Sequence, residues 1–202
     1  MNQKHINKIV ITGGPCAGKT TAMKYMQQYF TEKGYTVIFV PETATELILG
    51  GIAPWTCNTN LEYQICQIKL QLAKEEIFMK GIESLKSEKI IMVCDRGLMD
   101  NKAYMTQEEF EAALDYVGMT EEDWLNSYEA VFHLETVAKD NVHAYTLDNN
   151  GARTETAEEA VALDGRLIDA WSKHPNLVVV SSHEKVEHKL DYLVKHIEEF
   201  LD

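Results

Sequence analysis

Gly13-Gly14-Pro15-Cys16-Ala17-Gly18-Lys19-Thr20 fits the phosphate-binding pattern G-x-x-x-x-G-K-[S/T] without a mismatch. The pattern is short, so its flanks decide what it means. Ile9-Val10-Ile11 before it has the β-branched character of a buried strand, and Thr20-Thr21-Ala22-Met23-Lys24-Tyr25-Met26 after it reads as a helix. A strand that turns through glycines into a helix turns successive N–H groups inward, and it aims the positive end of the helix dipole at the same spot. The loop Gly13, Gly14, Pro15, Cys16, Ala17 and Gly18, with Lys19, Thr20 and Thr21, is therefore the candidate nucleotide cradle. Lys19 would reach the β and γ phosphates, and the Thr20 hydroxyl would ligate Mg²⁺. Cys16 lies near a helix N-terminus but has no resolving cysteine adjacent in sequence, so it reads as a small loop residue and not as a redox sensor.

The periodicities on either side extend this unit into an alternating chain. Strands are expected at about Ile6 to Thr12, Thr36 to Val40, Lys89 to Asp95, Glu129 to Glu135 and Leu177 to Val180. Helices are expected at about Lys19 to Lys33, after Pro41, at Leu61 to Ser87, in three short pieces from Leu98 to Tyr128, at Glu155 to Lys173 and at His183 to Leu201. Capping-box spacings occur at Thr43/Glu46, Thr106/Glu109 and Thr156/Glu159, with a similar pair at Thr120/Asp123. Leu61, Ile65, Ile68, Leu72, Met79 and Ile82 predict a wide apolar stripe packed on the sheet. This order implies an α/β fold: a P-loop NTPase three-layer α/β/α sandwich around a five-stranded parallel sheet. At 202 residues one domain, 1–202, is the economical reading.

Charge restricts the partners. Nineteen basic against 32 acidic side chains give a net charge of −13, which repels nucleic acid overall. The longest apolar run, Ile90 to Cys94, is too short to span a bilayer. With no signal peptide expected and four cysteines lacking metal or C-x-x-C spacing, a cytoplasmic protein is expected. The only arginines are Arg96, Arg153 and Arg166. The guanidinium fork grips phosphate or carboxylate in a bidentate way that lysine does not, so their positions carry information.

Two carboxylates complete the candidate site. Asp95 closes a nearly all-apolar strand, where it could hold Mg²⁺ beside the loop or simply cap the next turn. Glu42 follows the second strand, at the strand edge where ligands bind in open α/β sheets. Asp100, Lys102 and Tyr104 either face the same cleft or form a solvated helix face. Val137 to Thr154 is polar and carries the turn signal Asp148-Asn149-Asn150-Gly151. It predicts a mobile lid over about 138–170 containing Arg153 and Arg166, whose competing role is surface pairing with local glutamates. His133, mid-strand and without metal spacing, reads as a hydrogen-bonded interior histidine.

Gly13 to Thr20, Pro41-Glu42-Thr43-Ala44-Thr45, Val93 to Asp100 with Ala103-Tyr104, Arg153-Thr154-Glu155, and Leu163-Asp164 to Ala170-Trp171 together resemble the NadR/Ttd14-like AAA domain family. That family includes a ribosylnicotinamide kinase domain and a TRPL translocation defect protein, and the wider resemblance is to nucleoside and nucleotide kinases. The resemblance implies that Glu42 acts on the acceptor hydroxyl, Asp95 serves Mg²⁺, and Arg96 grips the acceptor or the transferring phosphate. ATP and a small hydroxyl-bearing acceptor are then the expected partners. A nucleotide-dependent regulatory binding module is the alternative, and the oligomeric state is open. Asn101-Lys102-Ala103-Tyr104 lacks the final Asp of the guanine-specific Asn-Lys-x-Asp sequence, which disfavours a regulatory GTPase. No small helical domain is expected after the fifth strand, which disfavours a ring motor.

Overall fold

A computed structural model describes residues 5–136, 138, 156–181 and 186–201. Five strands, β1 (His5–Gly13), β2 (Thr36–Val40), β3 (Lys89–Asp95), β4 (Ala130–Leu134) and β5 (Leu177–Val180), lie in the order β2-β3-β1-β4-β5. Every pairing is parallel. Each crossover therefore needs a helix, and the helices coat both faces. Alternation along β1 sends Ile9 and Ile11 to one face, under Met26 and Phe30 of α1 (Lys19–Glu32) and Leu193 and Ile197 of α7 (Val186–Leu201). Val10 faces the other way, with Ile90 and Met92 of β3, onto Ile68 of α3 (Asn60–Glu83), Phe110 of α4 (Gln107–Val117), Trp124 of α5 (Glu121–Leu125) and Trp171 of α6 (Ala157–Trp171). The remaining helices are α2 (Thr43–Leu49) and a 3₁₀ helix over Leu98–Tyr104. This is the expected three-layer sandwich.

Several local expectations hold. Thr106/Glu109, Thr120/Asp123 and Thr156/Glu159 form reciprocal capping boxes. Gly34, at φ 83°, sits just past the α1 C-cap Lys33. One more box, Thr59 with Glu62, opens α3. No described helix is long and apolar enough to cross a membrane. Most of the expected lid, Arg153 included, lies outside the described residues, as does His183.

Two expectations are corrected. Thr43/Glu46 does not form a capping box: Thr43 is already helical and buried, and the residue at the N-cap is Glu42, whose side chain caps nothing. Its carboxylate is drawn to Arg96 and Thr45 instead, and Glu46 pairs with Lys74 at 2.8 Å. The reading of α3 is incomplete: Ile68 and Ile82 are buried in the core and Leu61, Leu72 and Met79 pack against it as expected, but the inward face also carries polar residues. The buried positions are Tyr63, Gln64, Gln67, Ile68, Gln71, Glu75 and Ile82, while Ile77 is 67 % exposed. The helix therefore turns a largely polar edge inward, toward the segment that follows β3.

That segment depends on Gly97. A Cβ built there would lie 2.6 Å from the Trp171 ring and 2.9 Å from Val10 Cγ2. The indole occupies the space where a side chain would go, so Gly97→Ala should lower stability by about 1–3 kcal/mol through overpacking. A thermal melt should show the midpoint falling by several degrees, and an unchanged midpoint would mean Trp171 gives way without cost.

Candidate functional site

Strand order places the chemistry. β1 is central, with β3 on one side and β4 on the other, and the register sets Asp95 beside Ile11, two residues before the loop begins. β1 ends at Gly13 (φ 150°), where a Cβ would lie 2.3 Å from the Leu134 carbonyl oxygen of β4. Only glycine lets the two backbones pass so closely. Beyond it the loop takes left-handed conformations at Cys16 (φ 57°) and Gly18 (φ 85°) before α1 starts at Lys19. Left-handed residues alternating in a loop of this kind form an anion-binding nest. Cys16 is half-buried there.

The loop is held from behind by side chains. Gly14 N donates to Asp164 Oδ1 of α6 at 2.8 Å, the Thr136 hydroxyl donates to the Pro15 carbonyl at 2.5 Å, and Lys189 Nζ of α7 donates to the Ala17 carbonyl at 3.0 Å. His133 is indeed an interior histidine, fully buried, with Nε2 3.1 Å from the same Asp164 oxygen.

Opposite the loop stands a second group of charges. A cavity of about 480 Å³ is bounded by Lys19, Thr20, Met23 and Lys24 of α1, by Phe39 and Val40 of β2, and by Glu42, Thr45, Glu46 and Asp95. Arg96, next to Asp95, has a left-handed backbone (φ 71°). Its N–H donates to the Ile11 carbonyl at 3.0 Å and its own carbonyl accepts from Gln71 Nε2 at 3.3 Å, so a strained conformation is fixed at both ends. Its guanidinium donates to Glu42 Oε1 at 2.5 Å and to Asp100 Oδ1 at 3.3 Å.

Asp100 belongs to this site and is no part of a solvated helix face. It is 1 % exposed and accepts from the Thr12 hydroxyl, from Gly97 N at 2.8 Å and from Trp171 Nε1 at 3.1 Å, besides Arg96. Lys102, by contrast, turns away to Glu121 at 2.6 Å. Arg166 donates through Nε to the Ala103 carbonyl at 3.1 Å, which brings it to the same 3₁₀ helix but not to the cavity wall. Beneath Arg96 a buried network continues through α3. Gln71 and the Tyr128 hydroxyl both donate to Glu75 Oε1, Lys8 meets the other Glu75 oxygen at 2.6 Å, and Leu98 N donates to Tyr128. The polar face of α3 is thus the bed of the Arg96 turn. A helical stripe in which glutamines and a glutamate occupy the inward positions was the available sequence signal.

These neighbours set the proton affinities. Burial would raise Glu42, but Arg96, Lys19 and the bond from Thr45 outweigh it and hold the carboxyl down at about 2. Burial lowers Lys19, with Arg96 adding to the effect and Glu42, Asp95 and Asp100 opposing it. Burial raises Asp95 against the pull of Lys19. Asp95 Oδ1 is buried without a hydrogen-bond partner among the described residues. Asp95 and Thr20 line the same cavity, and a carboxylate with a hydroxyl is a hard-oxygen donor set of the kind Mg²⁺ accepts, so the residues present fit that ion. The described residues contain no cluster of three His, Cys, Asp or Glu able to hold a metal by itself. A magnesium here would complete its shell with phosphate oxygens and water.

Comparison with known proteins gives the same picture at the level of fold. A deoxyadenosine kinase from M. mycoides, solved with bound dATP, superposes with a TM-score of 0.62 at 15 % identity, covering 95 % of this chain and 99 % of that one. A comparison with curated proteins found no match. A family model described as an AAA domain matches residues 8–189. The NadR/Ttd14-like grouping within that description rests on the sequence resemblance alone. With the loop, the strand order and the kinase-like architecture in agreement over nearly its whole length, the chain belongs to the AAA domain family and has a P-loop kinase-like fold.

Proposed function

We propose that the protein is an ATP- and Mg²⁺-dependent phosphotransferase that moves the γ-phosphoryl group to the hydroxyl of a small, nucleoside-like metabolite. The observation that carries this reading is the pairing of two unlike walls across one cavity: Lys19 and Thr20 on the loop side, Glu42 with Arg96 on the other. A module that only bound nucleotide would need the first wall alone. The fold shared with a kinase supports the same reading.

In this assignment the loop amides and Lys19 bind the β and γ phosphates, and Thr20 and Asp95 would hold magnesium, which neutralises charge on the phosphate oxygens when bound. Phosphoryl transfer asks the protein for positioning and charge more than for covalent chemistry. Glu42 suits that demand. A carboxylate held at about 2 is a weak proton acceptor, so its role is to accept a hydrogen bond from the acceptor hydroxyl and aim its oxygen while the proton leaves late in the transfer. Arg96 fixes Glu42 in that orientation. Arg153 and Arg166 are assigned to charge neutralisation around the transferring group, and Arg166 begins from its place beside Ala103. Four cysteines without C-x-x-C or metal spacing fit a reducing, cytoplasmic setting.

The direct test is to incubate the protein with Mg·ATP and a panel of nucleosides and vitamin-like alcohols and to measure ADP release. Acceptor-dependent release supports the kinase. Tight ATP binding with no acceptor effect would move the function to a regulatory binding module. Lys19→Ala should cut turnover by about 100-fold or more, the scale for losing one preorganised charge-stabilising donor. Glu42→Gln should leave the ATP dissociation constant within about 2-fold while lowering transfer by about 100-fold; normal turnover would remove Glu42 from the mechanism. Asp95→Asn should raise the Mg²⁺ concentration needed for half-maximal activity by about 10-fold or more, the scale on which altered metal surroundings weaken binding.

A further inference from the structure

A loop that points its N–H groups inward at an anion must point carbonyls outward, and those carbonyls need donors if they are buried. Two are met from behind by side chains, Pro15 by the Thr136 hydroxyl at 2.5 Å and Ala17 by the ammonium of Lys189 at 3.0 Å. Lys189 is unusual for its type. It lies on α7, far from the loop in sequence, is 7 % exposed, and makes its second bond, at 2.7 Å, to the Glu135 carbonyl at the end of β4. Lysine is almost never buried to this degree without a paired carboxylate, yet both bonds go to backbone oxygens. A neutral donor would have satisfied the Ala17 carbonyl, as Thr136 does for Pro15, so the charge needs a separate reason.

The peptide that Lys189 grips supplies one. The Ala17 carbonyl and the Gly18 N–H are two ends of one peptide group, and a cation bound to the oxygen polarises the nitrogen end into a stronger donor. Among the described residues the Gly18 N–H makes no hydrogen bond. We propose that Lys189 is a positioning residue for the triphosphate, setting the Ala17–Gly18 peptide from behind the loop and lending its positive charge through that peptide to the phosphates. This rests on the reading of the loop as a triphosphate cradle.

Electrostatics give the proposal a pH signature. Burial lowers Lys189 to about 8, opposed by Asp164 of α6 and by Glu135. His133 stands behind Asp164, bonded to it. β5, Leu177–Val180, brings no titratable group. On α7 itself Glu187, His188 and Asp191 are exposed, and Asp191 is taken by Tyr25 of α1. Lys19, the first residue of α1, opens on the cavity. Bound triphosphate favours the charged form, so Lys189 is more basic in the complex than in the free protein. Its contribution to affinity is then complete below about pH 8 and disappears as pH rises through the higher value reached in the complex.

The test measures Mg·ATP affinity by calorimetry between pH 7 and pH 9.5 for the wild type, Lys189→Met and Lys189→Arg, with thermal melts to confirm folding. Methionine keeps the stem and removes the charge; arginine keeps the charge at every pH used. If charge reaching the phosphates makes Lys189 one pH unit more basic in the complex, Lys189→Met should bind about 10-fold more weakly at pH 7 and within about 2-fold of wild type at pH 9.5. Lys189→Arg should bind more tightly than wild type at pH 9.5. A ratio between wild type and Lys189→Met that stays constant with pH means a packing role and overturns the proposal, as does equal affinity at pH 7. If Lys189→Met does not fold, the arginine comparison decides, and no gain at pH 9.5 overturns it. Wild type that binds no triphosphate at any pH overturns the cradle reading and this inference with it.

Discussion

The Asp100 carboxylate is the fixed point of the molecule. One buried side chain accepts from Thr12 on β1, from Gly97 at the start of the 3₁₀ helix, from Trp171 at the end of α6 and from the Arg96 guanidinium. Three segments, the end of β1, the Arg96–Asp100 turn and the end of α6, are thus referred to one pair of oxygens. Breaking a buried ion pair by removing one partner costs about 3–5 kcal/mol, because the remaining charge has no water to turn to. Here the loss would leave the Thr12 hydroxyl, the indole N–H and a backbone amide without this acceptor together, and Arg96 with Glu42 alone. The left-handed Arg96 backbone persists because Asp100 above and the Gln71–Glu75–Tyr128 network below hold it in place.

The cavity follows from that arrangement. Arg96 is neutralised by Glu42 and Asp100, so the wall opposite the loop presents an oriented carboxylate and no free guanidinium. On the loop side Lys19 is destabilised by burial and feels Arg96 as a like charge, and Asp95 keeps an oxygen without a hydrogen-bond partner among the described residues. The loop side is therefore incomplete in two complementary senses, with a cation that would gain from an anion and a carboxylate that would gain from a cation.

Much of this was legible in the sequence, for local reasons. The loop, the five strands and three of the four capping boxes expected depend on residues within a few positions of one another, and they appear where spacing put them. Glu42 and Asp95 share one cavity edge, with Arg96 paired to Glu42 behind it, because strand order follows from the alternation of elements. The sequence was read less well where polar groups do structural work. Counting apolar residues along α3 found the stripe that packs on the core but missed the buried polar residues beside it, of which Gln71 and Glu75 bond the Arg96 carbonyl and the Tyr128 hydroxyl. For Asp100 the sequence left cleft and solvated face both open, because two of the partners that bury it come from β1 and α6. The Thr43/Glu46 spacing misled because the helix begins one residue earlier, putting Glu42 at the N-cap, and Glu46 is taken by Lys74. Lys189, Thr136 and Asp164 reach the loop across more than a hundred residues, and local pattern carries no trace of such contacts.

Helix α6 touches both sides of the cleft. Asp164 holds Gly14 of the loop and, two turns later, Trp171 holds Asp100 on the opposite wall, while Arg166 between them binds Ala103. Seven residues of helix span about 10 Å, a length that thermal motion barely changes. The helix is therefore a gauge rod between the loop and the Arg96 turn, and the width of the cleft between them is set by backbone pitch and not by side chains that can swing.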